Sequence, residues 1–205
     1  MKLRFRRMKK IVNIHNHLFA VTGTFSGVGV TLFCINFAYF LSEEFHRCVA
    51  VVELGNGGSF SELELQMQDS KHYVKTEYGF SLEQIAFFQN VSKQGFLNLL
   101  VNQYEFIIFD MGTNYMKHIS ELVSCNKKIV LGSHLEWRMC EYNRFLDSIE
   151  HLGGTHKWEY VDVTGTRTYK PYFIKDRKIK LKQLPRIVNV FSITDELRKT
   201  YYSFL

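Results

Sequence analysis

Leu18-Phe19-Ala20-Val21-Thr22-Gly23-Thr24-Phe25-Ser26-Gly27-Val28-Gly29-Val30-Thr31 is the stretch on which the reading of the whole chain turns. Its first five residues form a short apolar run ending at a glycine, the pattern of a buried parallel strand. Gly23, Gly27 and Gly29, with hydroxyls at Thr22, Thr24, Ser26 and Thr31, mark a turn-rich loop. Thr31 to Phe45 then reads as a helix. The same region imitates a membrane anchor, because His17 to Leu41 contains no Asp, Glu, Lys or Arg and follows a basic cluster. The glycine loop in its middle divides it into a short strand and a separate helix, so a cytoplasmic protein is expected, with peripheral membrane contact at most.

Working outward, four more strands are expected. Cys48 to Leu54 ends in Gly55-Asn56-Gly57-Gly58; Phe106 to Asp110 ends in Met111-Gly112; Lys128 to Gly132 and Trp158 to Val163 follow. Helix-length segments separate them, at Leu82 to Phe88, Ser92 to Gln103, Met116 to Cys125 and Glu136 to Leu152. In the last, Trp137, Cys140, Phe145, Ile149 and Leu152 fall near helical spacing and predict one packed face. Strands alternating with helices predict an α/β fold, a mostly parallel sheet covered by helices on both faces. Ligands of such sheets bind at the carboxyl ends of the strands, which here carry Gly23, Glu53 and Asp110. Thr194-Asp195-Glu196, ahead of Leu197, Tyr201, Phe204 and Leu205, predicts an N-capped closing helix.

The 205 residues, 46% apolar and 15% aromatic, suffice for one sizeable core. We divide them into a basic extension, 1–14, and one domain, 15–205. Cys34, Cys48, Cys125 and Cys140 lie far apart, with no CxxC pair, in or beside apolar segments where a thiol serves as a small hydrophobe. That suits a reducing compartment and argues against structural zinc. The net charge of +6 is concentrated in two places. Lys2, Arg4, Arg6, Arg7, Lys9 and Lys10 form one cluster, and Arg167, Lys170, Lys175, Arg177, Lys178, Lys180, Lys182 and Arg186 form the other. Both read as solvated faces, or as surfaces (2–10 and 167–186) for an anionic membrane or nucleic acid.

The opening stretch, followed by Asn36-Phe-Ala38, resembles the first strand, deviant Walker A loop and first helix of the MinD/ParA group of P-loop ATPases, which read as an apolar strand, GKGGVGKT, and a helix bearing Asn-Leu-Ala. Glu53-Leu-Gly-Asn-Gly-Gly resembles that group's switch segment, usually Asp-x-Asp-Pro-Gln-Gly. Glu105-Phe-Ile-Ile-Phe-Asp110 resembles its Walker B strand, Tyr-Asp-Tyr-Ile-Ile-Ile-Asp. The three matches stand in family order, and the likeness runs from about residue 15 to the end of the chain. It implies a phosphate-binding loop at Gly27, Val28, Gly29 and Thr31, with magnesium held at Thr31 and Asp110 if nucleotide binds.

The departures are as informative. The phosphate-binding lysine of the family becomes Val30, and its signature lysine, which reaches across a dimer, becomes Phe25. Two loop glycines become Thr24 and Ser26. In the switch segment the water-activating aspartate becomes Gly55 and the first aspartate becomes Glu53. A lost lysine removes a charge-assisted bond worth roughly 1.5–3 kcal/mol, and losing one transition-state donor commonly lowers turnover about 10² to 10³-fold. Phe25 and Val30 would also put apolar bulk where the phosphates lie. A pseudo-ATPase is therefore expected, needing no cofactor, with ATP and magnesium the ones to test.

Other constellations carry less. His15-Asn16-His17 lacks the further histidine of a ββα nuclease unit, Asp69, Asp110 and Asp162 lie on separate segments, and Ser133-His134 lacks a glycine-flanked elbow and reads as a loop. The resemblance implies a bacterial, non-catalytic localisation or assembly factor, similar in its irregular loop to the Tad-pilus localisation proteins though without their receiver-like domain, that works through protein partners or as a homodimer. A slow ATP-binding switch, or a nucleic-acid module using the two basic clusters, are the alternatives.

Overall fold

The computed structural model describes residues 16–55, 57–89, 91, 104–164, 173–174 and 179–205. The basic extension, the expected helix at 92–103 and most of the second basic cluster fall outside these residues. The opening stretch folds as strand β1 (His17–Gly23), a loop, and helix α1 (Val30–Phe45). Strands β2 (Val49–Glu53), β5 (Ile85–Phe88), β6 (Phe106–Asp110), β7 (Lys127–Gly132), β8 (Glu159–Asp162) and β11 (Lys182–Gln183) join β1 in parallel. Strands β3 (Tyr73–Thr76) and β4 (Gly79–Leu82) extend the β5 side as an antiparallel pair. The sheet order is β11-β8-β7-β1-β6-β2-β5-β4-β3, and β9 (Phe173–Ile174) pairs separately with β10 (Ile179–Lys180).

Alternation along the strands sends neighbouring side chains to opposite faces and builds two cores. Phe19, Val21, Val49, Val51, Ile108 and Leu131 pack toward α1 and the closing helix α5 (Asp195–Tyr202), together with Phe60 of α2 (Ser59–Met67). Ala20, Ala50, Val52, Ile107, Phe109 and Val130 pack toward α3 (Ile119–Ser124) and α4 (Glu136–Ser148). This is the mostly parallel, doubly covered α/β sheet expected from the sequence. Among the described residues, no helix is long and apolar enough to cross a membrane.

Three expectations need correction. Leu82 to Phe88 is not a helix: Leu82 ends β4, Glu83 turns with φ +53, and Ile85 to Phe88 is a strand. Its four residues are buried in alternation, Ile85 and Phe87 in one core, Ala86 and Phe88 in the other, and Phe80 stacks on Phe87 with centroids 4.9 Å apart. A short apolar run carries no period that separates strand from helix, and cross-strand aromatic packing decided it here. Second, α4 buries Tyr142, Phe145 and Leu146, with Ile149 just beyond it, while Trp137 is 67% exposed and Cys140 is exposed. The packed stripe starts one turn later than expected, and Trp137, in the first turn of α4, is left to solvent. Third, the cysteines divide: Cys34 and Cys125 are buried, Cys48 and Cys140 exposed.

One buried polar side chain ties the start of the chain to its end. Asn36, fully buried on α1, donates from Nδ2 to the carbonyls of Asn189, Val190 and Ser192 at 3.2, 2.9 and 3.1 Å. Its Oδ1 accepts from the Tyr201 hydroxyl at 2.6 Å. Beside it, Phe33, Phe37 and Phe40 of α1 meet Tyr201 and Phe204 edge-on or tilted, at centroid distances of 5.1–6.3 Å. Thr194 caps α5 through Leu197 N–H, as the sequence predicts.

Candidate phosphate-loop site

The loop between β1 and α1 is pinned at its base by Gly23 N–H to the Gly112 carbonyl, 2.8 Å, and Thr24 N–H to the Leu131 carbonyl, 2.9 Å. Gly27 (φ +79) and Gly29 (φ +97) adopt left-handed backbone, which costs an L side chain about 1–2 kcal/mol. Nothing stands within 4 Å of where a Cβ would project from either, so the loop leaves an open cradle. Gly29 precedes the first turn of α1 and offers no side-chain cap, so the backbone N–H groups of that turn face the cradle with the positive end of the helix dipole behind them.

Val28 and Val30 turn the other way. They are 7% and 6% exposed, and a Cβ on Gly23 would stand 2.4 Å from Val28 Cγ1 and 2.9 Å from Val30 Cγ2. Gly23 is therefore required by the valines packed beneath the loop. The expectation that Phe25 and Val30 fill the nucleotide's place does not hold: a cleft of about 450 Å³ remains open above the loop, with Phe25 along its wall. Apolar burial explains this, since a valine gains more beneath the loop than in a wet cleft.

Two carboxylates stand at the cleft. Thr31 Oγ1 donates to Asp110 Oδ2 at 2.6 Å, and Gly112 N–H donates to Asp110 Oδ1 at 3.0 Å. Asp110 is 2% exposed, and burial pushes its carboxyl above the usual range against the pull of these two donors. Glu53 lies directly across from Asp110 in the β2–β6 register. Burial, reinforced by the neighbouring Asp110 charge, pushes its carboxyl up as well. Glu53 Oε1 accepts from Ser59 N–H at 3.0 Å, so it caps α2, whose preceding residue Gly58 has no side chain to do so.

Of the residues expected to form a site, the structure brings Thr31 and Asp110 into contact beside the Gly27–Gly29 cradle, and Val28 lines the same cleft while its side chain packs toward Gly23. Sequence reasoning missed the Glu53–Asp110 pairing; its one signal was that both residues end strands. It also missed Asp162, which accepts from His134 N–H at 3.0 Å and from Thr164 Oγ1 at 2.7 Å, with His134 Nδ1 2.7 Å away. Ser133 accepts from Leu135 N–H and shapes the turn into α4. In the second basic cluster, Lys182 is committed internally, pairing with Glu159 at 2.7 Å and donating to the Ser203 carbonyl at 2.8 Å.

No family model matches the sequence, and no curated protein matches it. Solved structures do. A putative plasmid partition protein from Borrelia burgdorferi B31, bound to AMPPNP, superposes with a TM-score of 0.60 at 12% identity, over 92% of this chain and 96% of that one. A ParA family ATPase from Chlorobium tepidum TLS gives 0.59 at 13% identity, over 85% of each chain. The MinC:MinD cell division protein complex of Aquifex aeolicus gives 0.53 at 11% identity, over 84% of this chain and 82% of that one. The chain therefore has the P-loop fold of the ParA and MinD ATPases.

Proposed function

We propose that this chain is a localisation or assembly factor of ParA/MinD type, acting through protein contacts, whose loop holds a phosphate-bearing ligand without turning it over. The observation that carries the absence of turnover is Glu53: the carboxylate nearest Asp110 is spent on capping α2. With Val30 buried beneath the loop and a glycine at position 55, the cleft offers neither a lysine for the developing charge nor a free base for water. Phosphate binding is supported by the open cradle at Gly27 and Gly29, which backbone N–H groups can line. Thr31 and Asp110 are the oxygen donors a magnesium ion would take there.

The localising role is supported by the likeness to a plasmid partition protein and to a MinC:MinD division complex, and it implies a protein partner or a second copy of the chain. Residues 15–205 would be the working domain, and the basic extension 1–14 an auxiliary contact with an anionic surface. Two measurements test the reading. ATP turnover by the purified protein should equal that of a Thr31→Ala, Asp110→Ala variant, and a fluorescent fusion should concentrate at discrete places in its native cell. Magnesium-dependent turnover abolished by the double substitution would instead establish a slow ATP switch, the reading that the open 450 Å³ cleft favours. A uniformly spread fusion would remove the localising role.

A further inference from the structure

The charge inventory of the cleft is one-sided. Among the described residues lining it, the ionisable ones are Glu53 and Asp110, both acidic. With no magnesium bound, backbone donors alone face two carboxylates, so an anion entering the cleft is favoured by a further cation beside it.

Arg138, in the first turn of α4, does not itself line the cleft but stands against its Phe25 wall. Its Cζ lies 4.3 Å from the centroid of the Phe25 ring, and Phe25 lines the cleft. Glu141, one turn further along the same helix, pairs with Arg144 at 3.2 Å, and no carboxylate among the described residues pairs with Arg138. A guanidinium held over a ring face keeps its in-plane N–H donors for an oxyanion, and those donors match two phosphate oxygens at once. Phe25 then serves as a platform that holds a cation at the loop, where a bare aliphatic side chain would leave Arg138 in solvent.

We propose that Arg138, carried on the Phe25 ring, is the anion-binding cation of this cleft, and that its ligand is a di- or triphosphate. The inference rests on the reading that the loop holds phosphate. Titration calorimetry of the full chain with pyrophosphate, and separately with ATP and magnesium, tests it. Arg138→Ala and Arg138→Gln should each weaken both ligands about tenfold or more, the loss expected for a charge-assisted bond. Arg138→Lys should recover part of the affinity, and Phe25→Leu should weaken binding while Arg138 is intact. Melting temperatures without ligand confirm that each variant is folded. If the wild type binds and both Arg138 variants bind equally well, the assignment of Arg138 is overturned and phosphate binding stands. If the wild type binds neither probe, phosphate binding by the loop is overturned, and this inference with it.

Discussion

Asp110 is the most confined charge of the cleft, and its energetics follow from its surroundings. An acid whose carboxyl is pushed up by burial holds its proton more tightly in the fold than in the unfolded chain. Its contribution therefore favours the fold at low pH and is lost as pH rises through the folded value. Asp110→Asn removes the titration and keeps the partners, since the amide oxygen accepts from Gly112 N–H while the amide NH2 donates to Thr31 Oγ1. The variant is expected to melt higher than the wild type near neutral pH and to lose that advantage below about pH 4. A gain of about 1 kcal/mol appears as about 2–4 °C in a chain of this size. Equal melting temperatures at both pH values would show that burial of the charge costs nothing. Adding magnesium should narrow the difference at neutral pH by raising the wild type alone, since only the charged carboxylate gains from the ion.

Between β7 and α4 the packing is set by a missing side chain. A Cβ at Gly132 would stand 2.3 Å from Tyr142 Cε2 and 2.9 Å from Thr24 Oγ1. Tyr142 cannot retreat easily, being fully buried with its hydroxyl bonded to the Val161 carbonyl. Gly132→Ala is expected to cost about 1–3 kcal/mol by overpacking, measured by urea denaturation. Gly153→Ala, with no atom within 4 Å of its Cβ position, should be neutral, and equal effects at the two glycines would refute the packing argument. The contrast shows what the sequence could carry. Strand, glycine loop and helix at the start of the chain were legible because turn chemistry and apolar period are local. Gly132 reads as the end of a strand whatever stands above it, and nothing local in the sequence marks the approach of Tyr142, ten residues on, so that contact was invisible. The pairing of Glu53 with Asp110 depends on β2 lying beside β6, and the strand identity of Ile85 to Phe88 depends on Phe80 across the sheet. The direction of Val30 was misjudged for the same reason: the space beneath the loop exists only once Gly23 is in place.

Across the whole molecule, Asn36 is the clasp. Asn36→Leu would leave the Tyr201 hydroxyl and the carbonyls at Asn189, Val190 and Ser192 without this partner, at about 1–3 kcal/mol for each group that water cannot reach. The variant is expected to lose about 3 kcal/mol or more in all, and limited proteolysis should cut first within residues 187–194, releasing α5. Cleavage there no faster than in the wild type would show that aromatic packing alone holds the closing helix. The same clasp sets an order of events during synthesis. The aromatic face of α1 leaves the ribosome well before Tyr201 and Phe204, which cover it and lie far downstream in the chain. At about 5–20 residues per second, the interval is about 8–30 s. Through that interval Phe33, Phe37 and Phe40 lack their final cover, and a nascent chain stalled before residue 189 presents an oily surface to whatever chaperone meets it first.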